Sequence, residues 1–148
     1  WSDEDGDCQN TRHELLKELS TSIMTLTDST CRVLTGRWLD LYTNKIFQQS
    51  SKVDIDHLVP LHYAWQRGAH RWDKATLRLF SNDTRNLFVV QKSVNREKSA
   101  SGPLEWLPPN KDFRCIYVVR FERIMKMYHL QLTGSEERGF GALKAKYC

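Results

Sequence analysis

Four cysteines, at positions 8, 31, 115 and 148, set the outer constraint on this 148-residue chain. No two stand at C-x-x-C spacing, which argues against a zinc knuckle. An even number at wide spacing, one of them the final residue, reads as two disulfides. Three pairings are open. The expected one joins Cys8 to Cys31 and Cys115 to Cys148, stapling each end. On chain-entropy reasoning each closed loop adds roughly 3 kcal/mol. Disulfides imply an oxidising compartment, secreted or periplasmic; buried reduced thiols in a cytosolic protein are the alternative.

Inside those staples, the length suits one domain, residues 1–148, able to bury a core. No apolar run approaches the ~20 residues of a membrane span, so no membrane partner is expected. The chain opens on Trp1 without a charged-then-apolar leader, as expected of a processed product or a fragment. The net charge of +4 is unevenly placed. Asp3, Glu4, Asp5 and Asp7 crowd the first ten residues, leaving +8 on the rest. A basic body points to a polyanionic partner.

Hydrophobic period sets the coarse order of elements. Thr11-x-x-Glu14 is a capping-box pattern, with Leu15, Leu16, Leu19 and Ile23 following, so a helix is expected from near Arg12. "CRVLTGRWLDLYTNKIFQ" alternates about Thr43-Asn44 and predicts a hairpin. "LHYAWQRGAHRW" and "DKATLRLFSND" read as helical pieces broken at Gly68 and Asp83. "NLFVV" is a short strand, and "SVNREKSAS" is helix-compatible. Residues 113–130 have the period of a long amphipathic helix, and "SEERGFGALKAKYC" predicts a last one. The class is α+β with a small antiparallel sheet. Trp38, Trp65, Trp72 and Trp106 are expected in the core, and His13, His62, His70 and His129 at the surface or in packing.

"KVDIDHLVPLHYAW" carries the chemistry. A strand pattern, Val53-Asp54-Ile55, runs into Asp56-His57 before a proline. Asn86 then opens the second strand, and Asn95-Arg96-x-Lys98 lies on the helix-compatible stretch. Strand, strand and helix, with these residues in order, resemble the ββα-metal hairpin of the His-Asn-His (HNH) endonuclease superfamily. More of the chain resembles secreted bacterial HNH endonucleases. The matching pieces are Asp5-Gly6-Asp7, Thr11-Arg12-His13-Glu14, Asp56 to Trp65, Arg67-Gly68-Ala69, Asn82 to Leu87, Asn95 to Lys98 and Trp106 to Pro109. The resemblance implies a ββα-metal core at about 52–100, with added helices and a small antiparallel sheet.

Hydrolysing a phosphodiester needs an activated water and positive charge on the phosphate and departing O3′. An imidazole with a pKa near ~6.5 takes a water proton at neutral pH, so His57 is the expected general base. Asp56 and Asn95 offer one carboxylate and one amide oxygen, which suit magnesium or manganese. The superfamily name has His where Asn95 stands. The resemblance implies that Asn86 holds the hairpin and orients the His57 ring. It also implies phosphate contacts from Arg96 and Lys98, and 5′-phosphate and 3′-hydroxyl products. Arg85, and Arg120 on the long helix, are further phosphate candidates.

The expected activity is metal-dependent endonucleolytic cleavage of DNA with low sequence specificity and no organic cofactor. RNA is not separated from DNA, since no 2′-hydroxyl reader is recognisable. Scavenging, DNA uptake, phage-related work and toxicity to rivals all fit; a toxin would require an immunity protein. Separately, Asp3, Asp5, Asp7, Thr11 and Glu14 occupy positions 1, 3, 5, 9 and 12 of a twelve-residue window, the spacing of a calcium loop. Cys8 stands where that loop wants glycine, and a solvated acidic terminus is the plain alternative to a structural calcium ion. Two rival functions remain: a non-catalytic nucleic-acid-binding module and a calcium-dependent extracellular structural domain.

Overall fold

The computed structural model describes residues 1–148. Helix α1 (Thr11–Leu19) is capped by Asn10, whose side chain accepts from the His13 amide. The cap therefore lies one residue before the Thr11 of the expected box: Asn10 holds an extended backbone and a short acceptor, and Thr11 is already helical. Strands β1 (Thr25–Leu26), β2 (Val33–Asp40) and β3 (Lys45–Gln49) form an antiparallel sheet in that order. The β2–β3 turn contains Asn44 at φ 58°, a conformation asparagine tolerates. With only two residues, β1 carries no readable alternation.

Strand β4 (Val53–His57) pairs antiparallel with β5 (Leu87–Gln91) as a separate two-stranded unit, with Asp56 opposite Phe88 and His57 opposite Leu87. Between them lie α2 (Leu61–Trp65) and α3 (Lys74–Asn82). They are separated at Gly68, whose φ of 131° admits few other residues. Helix α4 (Lys92–Lys98) leaves β5 directly; α5 (Arg114–Met127) and α6 (Gly134–Tyr147) follow. A Thr133–Glu136 capping box starts α6.

Alternation along the β4–β5 unit divides the interior. Val53, Ile55, Leu87 and Val89 join Leu15, Leu16 and Trp38 in one cluster, while Phe88 and Val90 enter the larger cluster with Tyr42, Tyr117 and Phe121. Because β5 is covered on both faces, it reads as an unbroken apolar run. Each fully buried large aliphatic side chain contributes roughly 1.5–3 kcal/mol. Two aspartates, Asp54 and Asp56, share the Phe88 face, so that side of the unit needs polar partners. They come from α4 and Tyr42.

The disulfides are Cys8–Cys31 and Cys115–Cys148, with Cα–Cα distances of 5.2 and 5.0 Å. The first ties the acidic N-terminal segment to the β1–β2 connection; the second ties α5 to the end of α6. One expected core residue lies elsewhere: Trp65 is 45% exposed, because it stands at the last position of the one-and-a-half-turn α2 and faces His70 at the surface. No helix is long and apolar enough to cross a membrane.

Candidate functional site

Val94 is buried in the larger cluster and seats α4 against the β4–β5 unit. Asn95 and Lys98, three residues apart, then meet the aspartates of β4. Asn95 Nδ2 donates to Asp54 Oδ2 at 3.1 Å. That bond identifies the amide nitrogen and leaves Oδ1 without a partner inside the protein. Lys98 Nζ lies 3.0 Å from Asp56 Oδ2 and donates to the His57 carbonyl at 2.9 Å. The Tyr42 hydroxyl donates to Asp56 Oδ2 at 2.7 Å. Burial pushes the Asp56 carboxyl up, opposed by the Lys98 charge and the Tyr42 hydrogen bond; burial pushes the Lys98 ammonium down, opposed by Asp56.

This placement corrects the expectation for Lys98. Its side chain is wholly buried and spends its donors on Asp56 and the β4 backbone, so it presents no charge to a phosphate outside. Arg96, on the opposite side of α4, is exposed.

The His57 imidazole is held on three sides. Nε2 lies 2.9 Å from the Ser81 carbonyl. A carbonyl only accepts, so Nε2 carries the hydrogen and Nδ1 keeps its lone pair. Phe80 lies parallel to the ring at 6.3 Å between centroids, and Trp1 stacks at 5.1 Å and 17°. Burial lowers the His57 pKa, so the ring is neutral at neutral pH. Asn86 does not touch this ring: its amide brackets Val59, accepting from the Val59 amide at 2.8 Å and donating to its carbonyl at 3.1 Å. It braces the turn after β4, and the tautomer is set by Ser81. Ring orientation by a main-chain carbonyl has no sequence signature, and the contacts of Tyr42, Phe80 and Trp1 are equally silent in the sequence.

Asp56, His57 and Asn95 line one open cavity of about 270 Å³, with Pro60 and Leu61 in its wall. The donor set fits a hard divalent ion: an amide oxygen free of internal partners and a carboxylate whose Oδ1 has only Lys98, at 3.3 Å.

Arg85 is tied twice to Asp83, which also accepts from the Tyr128 hydroxyl at 2.6 Å. Hydrogen bonds from Arg85 hold the Asp83 carboxyl down at about 2, against the opposing effect of burial, with Tyr128 adding to them. An acid whose folded pKa lies below its ordinary value of 3.8 supplies stability above about pH 4, lost as the pH falls towards 2. Urea unfolding across that range is therefore expected to show a shallower acid decline for Asp83→Asn than for the parent protein; identical slopes would remove the assignment. Arg120 stands apart from the Asp56 cavity, its guanidinium 5.5 Å from the Phe88 ring centroid.

One carboxylate oxygen from each of Asp3, Asp5, Asp7 and Glu14 lies within 4.8 Å of the other three. Burial, then the charges of Asp5, Asp7, Asp3 and Glu4, push the Glu14 carboxyl up. The loop also satisfies itself, since Asp3 accepts from the amides of Gly6 and Cys8 and Asp7 from that of Gln9.

Comparison with known proteins bears on the activity of this arrangement. Residues 10–138 match the family described as GmrSD restriction endonucleases, C-terminal domain. The chain is also 34% identical over 139 residues to a protein of the fungus Arthroderma benhamiae named "Uncharacterized secreted protein", covering 93% of this chain and 67% of that one. The match takes in both β-strands of the cavity, α4 and the helices around them, and on that extent the chain belongs to the C-terminal domain family of the GmrSD restriction endonucleases, a nuclease family.

Proposed function

We propose that the protein is a metal-dependent endonuclease that hydrolyses DNA phosphodiester bonds with low sequence specificity, using an HNH-type core at 52–100. The observation that carries this reading is the shared cavity of Asp56, His57 and Asn95. His57 Nδ1 takes the proton of the attacking water; the Ser81 bond on Nε2 keeps that lone pair available and steadies the ring as its charge develops. Trp1 and Phe80 restrict ring rotation. Asp56 and Asn95 would hold a magnesium or manganese ion, which supplies charge neutralisation at the scissile phosphate and the departing O3′. Lys98 and Tyr42 hold the Asp56 carboxylate in place. Arg96 faces solvent where a flanking phosphate could meet it.

A plasmid-nicking assay tests the reading. Nicking is expected with magnesium or manganese and none with chelator. Asn95→Ala is expected to raise the magnesium concentration needed for half-maximal rate by about 10-fold or more. Cleavage that persists in chelator, or an unchanged metal requirement in Asn95→Ala, would contradict the metal assignment. DNA is proposed as substrate because the family's description names restriction endonucleases; an RNA ladder in the same assay tests the alternative polymer. Two disulfides and a relative named as secreted support an extracellular or periplasmic location. The N-terminal acidic cluster is proposed as a structural calcium site, and titration calorimetry without calcium heat would remove it.

A further inference from the structure

A second cavity, of about 250 Å³, opens beside the β4–β5 unit and is lined by Arg85, Arg120, Arg123, Ile124 and Met127. Its lining contains three guanidinium groups and no carboxylate. Arg120 and Arg123 lie three residues apart on α5, so both project from one face of that helix. Both are exposed, and neither forms an ion pair or donates a hydrogen bond within the protein. Arg85 is fixed by Asp83, leaving one carboxylate to offset three cations. The acid nearest in sequence on α5, Glu122, is already paired with Lys144 at 3.0 Å. Crowding like charges without an internal partner costs energy, which an anion from outside would recover.

The position of this cavity narrows the choice of anion. Arg120 lies over Phe88, the register partner of Asp56. Arg85 lies two residues before Leu87, the register partner of His57. The cavity thus meets β5 at Phe88 and just before Leu87, the two residues that pair with Asp56 and His57. A polyanion long enough to lie across both cavities would meet His57 in one and the three arginines in the other. Planar guanidinium forks suit phosphate oxygens, and apolar Ile124 and Met127 supply a floor rather than hydrogen-bond readout.

We propose that Arg85, Arg120 and Arg123 form a backbone-phosphate subsite that grips the nucleic-acid strand flanking the scissile bond. It deepens the nuclease reading, which supplies only the identity of the polymer. The subsite is independent of base sequence and acts in binding, not in the chemical step.

The test is binding without cleavage. Anisotropy of a labelled DNA duplex is measured in chelator over a salt series, for the whole chain with both disulfides formed. Arg120→Gln with Arg123→Gln is expected to weaken binding at least 10-fold at low salt and to reduce the slope of log affinity against log salt by about two, one per lost phosphate contact. Lys17→Gln with Lys45→Gln removes the same charge from exposed positions on α1 and β3 and is expected to leave that slope within half a unit. Equal slopes for the parent and the arginine variant, or equal losses in the arginine and lysine variants, would overturn the subsite. Parent protein that binds neither DNA nor RNA would overturn it as well. Salt-dependent binding lost in the arginine variant, with no cleavage by the parent in any divalent ion, would uphold the subsite and overturn the nuclease reading instead.

Discussion

His57→Ala is expected to lower the rate of plasmid nicking by about 10²–10⁴-fold while leaving DNA binding in chelator and the far-ultraviolet circular dichroism unchanged. The size follows from what the ring does in the proposed reaction. A neutral imidazole is the group in the cavity that can take a proton near neutral pH, and its tautomer is set by a main-chain carbonyl that no substitution of Ser81 removes. Retention of the fold follows from the ring's position: it lies at the end of β4, between Trp1 and Phe80, and its loss removes contacts on the rim of the larger core. A fully active His57→Ala protein would end the general-base assignment. A variant that lost binding together with rate would point to a structural role.

The second large effect concerns stability. Lys98→Met is expected to cost about 3–5 kcal/mol, because it leaves the Asp56 carboxylate buried without its cation. For a chain of this size that corresponds to a fall in Tm of roughly 10 °C. The cost is not the net worth of the ion pair; burying both charges is itself expensive. Adding Asp56→Asn removes the unpaired charge while retaining an acceptor for the Tyr42 hydroxyl, and the double variant is expected to recover much of the loss. Thermal unfolding of the two variants distinguishes these cases. A Lys98→Met protein as stable as its parent, or a double variant no better than the single one, would show that Lys98 does not hold Asp56 in this way.

How much of this could be read in the chain follows from the range of each interaction. The disulfide pairing, the β2–β3 hairpin and the breaks at Gly68 and Asp83 depend on local chemistry or on an even number of widely spaced cysteines, and the structure has them where the sequence reading puts them. Strand β5 is legible because an apolar run of four, Leu87 to Val90, needs burial on both faces. The residues of the Asp56 cavity could be listed, but not their neighbours. Lys98 looked like an outward phosphate contact because helix periodicity does not say which face a seven-residue α4 turns inward; the Val94 contact decides it. The family resemblance implies that Asn86 orients the His57 ring, while its amide closes on Val59, two residues past His57. The arginine cavity joins position 85 to positions 120 and 123, and no local pattern links segments that far apart.

The two covalent links close consecutive stretches, 8–31 and 115–148, and neither stretch contains a partner of the other. Given an oxidant, the first link can form before the β4–β5 strands have been synthesised, and the second needs only the last two helices. Misrouted thiols have few opportunities, because the four sulfurs arrive as two well-separated couples. The stretch from 32 to 114, which carries Asp56, His57 and Asn95, is left free of cross-links, so its integrity rests on packing and polar contacts alone. A reductant should therefore loosen both ends first, and amide exchange should register that loss there before it reaches the β4–β5 amides.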